Sequence, residues 1–298
     1  MSRRIVLCFG FLAACVFSSA TRADENTGAD RVIRVWPGDP PSWTAPDKKE
    51  ADTSGPDSNL VAGRSVIRLG NVSTPELHLF PAESATTTMI VCPGGGFSIL
   101  AWDLEGTEIA TWLQKRGISV AVLKYRVPTR SEDKKWVPPV QDLQRSISLL
   151  RSGTVESMPT DHVGIMGFSA GGHTAIRAAL STKRLYEPID DQDQTSAVPD
   201  FAALIYTAYL TESQESDDLS EELKVTGESP PMFFAHALDD RHSCMGSVAL
   251  FSELKRNGVP SSLHIFSTGG HGFGGRDTGN EKDQWLPLFR LWLSDRGF

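Results

Sequence analysis

Short apolar runs alternate with stretches of helical spacing along most of the chain, and that alternation predicts the architecture. Residues 88–92 (TMIVC), 119–124 (SVAVLK), 163–167 (VGIMG), 201–206 (FAALIY), 231–237 (PMFFAHA) and 262–266 (SLHIF) read as strands, most of them apolar enough to be buried on both faces. Between them, 106–116 places apolar residues at Ile109, Trp112 and Leu113, and 138–150 places them at Val140, Leu143, Ile147 and Leu150. These two stretches read as helices, as do 246–255, 285–293 and the Ala-rich text from Thr174. Gly117 ends the first, and Pro138 and Pro139 open the second, where a missing N–H costs nothing. Strands that alternate with helices pair in parallel through right-handed crossovers, so a doubly wound, mostly parallel α/β sheet is expected. Two more strands are expected ahead of it: 65–69, and 76–80, which alternates as a half-buried strand does.

The N-terminus breaks this pattern. Arg3 and Arg4 precede an apolar run over 5–17, too short to span a bilayer, and small residues follow, in the order of a secretory signal peptide over 1–23 cleaved after Ala20 or Ala23. Leu12-Ala13-Ala14-Cys15 offers a second reading, a lipobox in which Cys15 becomes the lipidated first residue and the protein's tie to a membrane. Either reading exports the protein, as a periplasmic or secreted one. Residues 24–62 are rich in Pro, Asp, Ser and Lys without periodicity and read as a loop-rich lead-in. Within it, Trp36-Pro37-Gly38-Asp39-Pro40-Pro41 reads as a surface turn anchored by tryptophan. Residues 63–298 are then expected to form one domain around a single core, since 298 residues with 40% hydrophobic content suit one better than two.

Charge and cysteine content narrow the function. Losing 1–23 removes Arg3, Arg4 and Arg22 and no acid, so the formal charge moves from -8 to -11. Nucleic acid is thereby excluded as a partner, because binding it needs a basic face that displaces counterions. The acidic run 211–222 (TESQESDDLSEE) reads as a solvated face. Of four cysteines, Cys8 and Cys15 fall in the leader, and Cys92 and Cys244 have apolar neighbours and read as buried thiols rather than a bridge. No C-x-x-C or H-E-x-x-H spacing occurs, so neither a protein-ligated metal nor a cofactor is indicated.

The chemistry centres on Gly167-Phe168-Ser169-Ala170-Gly171. This G-x-S-x-G sits between a strand and a helix, where its glycines allow a strained turn that lifts the Ser169 hydroxyl, with helical N–H groups beside it. Ser169 is the candidate nucleophile. Ahead of it, the buried run 88–92 leads into Pro93-Gly94-Gly95-Gly96-Phe97, a loop with little side chain, whose amides are free to approach a developing oxyanion. A serine hydroxyl needs an imidazole to take its proton, and the imidazole needs a carboxylate to fix its tautomer. Of seven histidines, His271 follows the final strand, in Gly269-Gly270-His271-Gly272, and is the candidate base, with His242 second. For the acid, Asp239 and Asp240 both follow the strand 231–237. Asp240 stands four residues after His236 and is preferred, which leaves Asp239 to cap the following turn.

Together, Trp36-Pro37-Gly38, Cys92-Pro93-Gly94-Gly95-Gly96-Phe97, Glu105-Gly106, Tyr125-Arg126, Gly167 to His173, His236 with Asp239-Asp240, and Gly269 to Gly274 resemble the exported acetyl-xylan and feruloyl esterase-like branch of the α/β-hydrolases. The resemblance spans residues 36–293. It implies the α/β-hydrolase fold and a carboxylesterase acting on acylated plant or algal polysaccharide. Ser169, Asp240 and His271 would form the triad, and the amides of Gly95, Gly96 and Ala170 the oxyanion hole. One departure is Arg241-His242-Ser243-Cys244, where relatives usually carry an apolar Val-Pro turn. The acidic segment between the strands at 201 and 231 is too short for a large lipase-type lid, so an open cleft is expected. Alternatives are a general short-chain esterase, a prolyl-oligopeptidase-like serine peptidase, and a non-catalytic binding protein on a hydrolase scaffold. The last of these typically loses a triad member, whereas this chain holds a candidate for each.

Overall fold

The computed structural model describes residues 22–24 and 28–298, apart from 57, 214 and 215. Residues 1–21, with the Cys15 and Ala20 of the expected leader, lie outside them. In chain order the strands are β1 (Arg22–Asp24), β2 (Ala29–Arg34), β3 (Ala51–Asp52), β4 (Arg68–Gly70), β5 (Glu76–Phe80), β6 (Thr87–Cys92), β7 (Ile99–Ala101), β8 (Ser119–Lys124), β9 (His162–Phe168), β10 (Ala202–Ile205), β11 (Met232–Ala237) and β12 (Ser261–Phe266). The helices are α1 (Glu108–Gln114), α2 (Val137–Arg151), α3 (Ala170–Ala179), α4 (Met245–Arg256) and α5 (Trp285–Arg296).

β6, β8, β10 and β11 are buried at every position and β9 at all but His162, which is what parallel strands covered on both faces require. They lie in a nine-stranded sheet of order β1-β2-β5-β8-β6-β9-β10-β11-β12. Pairing is parallel from β8 to β12 and antiparallel at the β1-β2-β5 end, including β5 with β8. Successive residues of β11 show how the two helical layers attach. Phe233 meets Phe289 of α5 at 5.3 Å between ring centroids, whereas Phe234 turns to Phe251 of α4 at 6.4 Å. The period of two in a strand therefore places α4 and α5 on opposite faces. Truncating either phenylalanine to alanine would cost about 3–5 kcal/mol, since each fills one of these interlayer contacts.

Four expectations need correction. The lead-in is not all loop: β2 lies inside it and pairs with β5 in the main sheet. Its six residues, ADRVIR, bring too few apolar positions to announce a strand without that partner. The strand expected at 65–69 is displaced to β4, which joins β3 and β7 in a separate three-stranded sheet. The carbonyls of Val66 and Ile67 are instead taken by the Ser54 hydroxyl at 2.7 Å and the Trp102 amide at 2.9 Å. Trp36 is buried rather than superficial, and its Nε1 donates at 2.7 Å to Asp142, the buried partner of Arg126. The helix after the elbow also starts earlier than Thr174, at Ala170, because the glycines that weaken its sequence signal are needed for close approach.

Candidate active site

β9 ends at Phe168 and α3 begins at Ala170, so Ser169 alone makes the turn between them, at φ 50° and ψ -116°. A non-glycine residue there stores about 1–3 kcal/mol of strain that its surroundings must hold. Its amide donates to the Ile205 carbonyl at 3.0 Å, and its carbonyl accepts from Ala208 at 3.2 Å. Gly171 allows the first turn of α3 to press against the end of β6, where a β-carbon would collide with the Cys92 carbonyl.

The loop after β12 brings His271 to this serine. Its Nε2 lies 2.8 Å from Ser169 Oγ, and its Nδ1 lies 2.8 Å from Asp240 Oδ2. With Nδ1 donating to a carboxylate, Nε2 is left to accept the hydroxyl proton. The Asp240 side chain is fully buried and also accepts from the His242 amide at 2.8 Å and from His236 Nε2 at 3.2 Å. Burial opposes its ionisation, but the bonds from His236 and His271, the His271 charge and the His242 amide outweigh burial and hold the carboxyl well below the usual range. Asp239 does not cap the following turn as expected. Its Oδ1 accepts from the Gly270 amide at 2.7 Å and so ties down the loop that carries His271.

Gly95 and Gly96 line the cavity with Ser169 and His271. Gly95, at φ 137°, sits where a β-carbon would run into the Ile99 carbonyl. Ala170 does not line the cavity, yet as the first residue of α3 its amide has no intrahelical acceptor. The cavity measures about 670 Å³. No helix covers it from 206–231 among the described residues. One wall comes from Asn59, Val61, Val66 and Arg68, a segment pinned by buried Arg276, which donates to the Val61 and Arg64 carbonyls and pairs with Glu108 and Asp103.

The other histidines are placed away from the serine hydroxyl. His173 on α3 is pushed down to about 3 by burial, with Arg177 and Lys135 adding to it, and accepts from Arg177 Nε at 3.1 Å. His242 stands on the cavity rim with its ring 4.6 Å from that of His271, and burial, then the His271 charge, lowers its pKa. Cys92 and Cys244 are both free and buried, and burial raises both thiols.

Sequence reasoning missed Glu105 as a site residue. It lies on a single π-helical turn ahead of α1 (Asp103–Thr107), buried, with Oε2 accepting from the Gly94 amide at 2.6 Å and Oε1 from the Tyr206 hydroxyl at 2.8 Å. Tyr206 in turn accepts from the Gly274 amide at 3.1 Å, and its ring stands 5.2 Å from that of His271. One carboxylate thus joins the glycine loop to the histidine loop. Burial raises the Glu105 pKa, against the opposing bonds from Tyr206 and Gly94 and the His271 charge. The available signal was an acid in Leu104-Glu105-Gly106 just downstream of the glycine loop, which only burial distinguishes from a surface residue.

A serine at a strand-elbow-helix turn of a parallel sheet of this order, facing a histidine from the loop after the last strand, is the α/β-hydrolase fold. Within that fold class, proteins it resembles are esterases. Residues 77–212 match the profile of the BD-FAE family. An acetylxylan esterase of Xylanibacter ruminicola is 28% identical over 257 residues, covering 78% of this chain and 50% of that protein. The chain thus spans half the length of that relative. Among solved structures, the acetyl ester-xyloside bifunctional hydrolase of Caldicellulosiruptor lactoaceticus superposes with a TM-score of 0.70 at 25% identity, covering 90% of this chain and 96% of that one. Esterase 2 of Thermogutta terrifontis, phosphorylated by paraoxon, shares the fold at a TM-score of 0.62 and 19% identity, covering 86% of this chain and 96% of its own.

Proposed function

We propose that the chain is an exported serine carboxylesterase that removes acyl groups from ester-substituted carbohydrate. The observation that carries this reading is the unbroken relay from Ser169 Oγ to His271 Nε2 at 2.8 Å and from His271 Nδ1 to Asp240 at 2.8 Å, opening on a cavity beside the Gly95 and Gly96 amides. His271 takes the hydroxyl proton as Ser169 attacks the ester carbonyl, and the imidazolium that forms faces the Asp240 carboxylate. The amides of Gly95, Gly96 and Ala170 receive the oxyanion, each worth on the order of a hundred- to a thousandfold in turnover. His271 then returns the proton to the departing sugar oxygen. Water attacks the acyl-serine by the same route and frees the acid.

The likeness to an acetylxylan esterase and an acetyl ester-xyloside hydrolase supports acetylated xylan as the substrate class, and the absence of a helix among the described residues of 206–231 suits an ester borne on a bulky chain. Release of acetate and ferulate from acetylated xylan, feruloylated arabinoxylan and p-nitrophenyl acetate, compared between the protein and Ser169→Ala, tests this. Polysaccharide deacylation that vanishes in Ser169→Ala is expected. Turnover of p-nitrophenyl acetate alone would leave a general short-chain esterase.

A further inference from the structure

Three guanidinium groups stand on the cavity at Ser169, namely Arg68, Arg130 and Arg241, and none is ion-paired with a carboxylate among the described residues. Arg68 donates to the carbonyls of Val66 and Asn59, each at 3.2 Å, while Asp52 near it accepts its backbone amide at 3.0 Å. Arg130 reaches the Gly96 carbonyl at 3.3 Å, and a β-carbon on Gly96 would lie 2.7 Å from its Nη1, so this guanidinium lies over the glycine loop. A guanidinium has five N–H donors, and each of these three therefore keeps donors for a ligand.

The charge is not balanced from within. Glu105, the carboxylate on the cavity lining, has both oxygens engaged by Gly94 and Tyr206, and Asp240 is turned to His271. The adjoining recess, which Arg241 also borders, is mixed in charge: it holds Asp133 and Glu212 beside Lys135 and Arg177, and Arg177 is paired with Glu222. Asp52 attracts Arg68 through space without closing an ion pair, so an acidic chain of formal charge -8 presents three guanidinium groups with no direct carboxylate contact around its candidate nucleophile. Cations on a concave wall concentrate anions, and a guanidinium fork matches the oxygens of a carboxylate or sulfate. A neutral acylated sugar offers them hydroxyl acceptors but no charge to match.

We propose that the cavity takes an acylated sugar that itself carries an anionic group, a carboxylate or a sulfate, bound by Arg130 and Arg241 with Arg68 across the cavity while the nearby ester meets Ser169. This rests on the carbohydrate esterase reading above. The test gives the full chain three monoacetylated sugars acylated at the same hydroxyl: a methyl glucoside, a methyl glucuronide and a methyl glucoside sulfate. Acetate release is followed at low and high salt, with p-nitrophenyl acetate alongside.

For at least one anionic sugar, kcat/KM should exceed that of the neutral one by on the order of tenfold, mostly through KM, as expected for one charged hydrogen-bonded contact. The advantage should shrink as salt rises. Which anion gains distinguishes carboxylate from sulfate. Arg130→Gln and Arg241→Gln should each move the ratio of anionic to neutral kcat/KM toward one, a ratio in which any activity loss common to both substrates cancels. Equal kcat/KM on all three sugars, or an advantage that survives in both variants, overturns the anion site and leaves the carbohydrate esterase standing. Turnover of p-nitrophenyl acetate and of none of the sugars overturns both.

Discussion

Replacing Glu105 with leucine keeps much of the side chain's bulk but strands two buried donors, the Gly94 amide and the Tyr206 hydroxyl. Each unsatisfied donor costs about 1–3 kcal/mol, so the substitution should cost roughly 2–6 kcal/mol in total, divided between lost stability and movement of the groups concerned. Those groups border the chemistry on both sides. Gly94 precedes the Gly95 and Gly96 amides, and Tyr206 both accepts from Gly274 and packs its ring 5.2 Å from that of His271. A shift of about 1 Å in either the amides or the imidazole is enough for roughly a hundredfold loss of rate.

Glu105→Gln is milder, because its amide oxygen still accepts from Gly94 and its NH2 donates to Tyr206. Tyr206→Phe leaves Gly94 bonded and releases Gly274. The expected order of kcat on p-nitrophenyl acetate is wild type, then Tyr206→Phe and Glu105→Gln, then Glu105→Leu lowest by about a hundredfold with KM little changed. Thermal unfolding and the rate of Ser169 labelling by a fluorophosphonate separate the two contributions. Should Glu105→Leu melt earlier yet keep wild-type kcat and labelling rate while folded, Glu105 is a core hydrogen bond only, and the coupling between the loops is refuted.

Two other outcomes follow from the same geometry. Asp240→Asn should lower kcat on the order of ten-thousandfold with the fold intact by circular dichroism, because an amide at this place no longer holds the Nδ1–H tautomer; a loss under about tenfold would remove Asp240 from the relay. Glu76 is held down at about 2 although burial opposes its charge, because bonds from His78 and Lys124 outweigh that burial. A depressed carboxyl contributes its stability above the ordinary pKa of 4.5 and loses it as pH falls from there toward about 2. Urea unfolding across that window should therefore fall more steeply with acid for wild type than for Glu76→Gln, and identical slopes would contradict the assignment.

The reach of the sequence differed between elements for identifiable reasons. Strands such as β6 and β11 are legible because burial on both faces demands an unbroken apolar run, and no surface helix imitates TMIVC followed by Pro-Gly-Gly-Gly. β2 was not legible. Its six residues carry two arginines and an aspartate, and it is a strand because Arg31 to Arg34 find β5 opposite them. Trp36 likewise reads as a turn anchor until Asp142, more than a hundred positions later, proves to be the acceptor for its indole.

The candidate site divides along the same line. Ser169 and His271 could be named from local chemistry, since a glycine-bounded serine between strand and helix and a glycine-framed histidine after the last strand are properties of contiguous residues. The spacing of Asp240 to His236 favours it over Asp239, but what Asp239 does was not legible: adjacent carboxylates differ in which way the turn points them, and the fold directs Asp240 to the imidazole and Asp239 to the Gly270 amide.

By itself, then, the sequence determined the order of the central strands and helices, the parallel sheet, the elbow and its candidate nucleophile, because these follow from apolar periodicity and from backbone conformations that short motifs require. Tertiary structure alone decided that Asp239 holds the Gly270 amide, that Glu105 and Tyr206 link the two loops beside Ser169, and that Arg68, Arg130 and Arg241 share one cavity. Each of those depends on where side chains distant in sequence meet and on whether water can still reach them. Burial converts an ordinary glutamate into a bridge, and the fold gathers three arginines distant in sequence around one cavity.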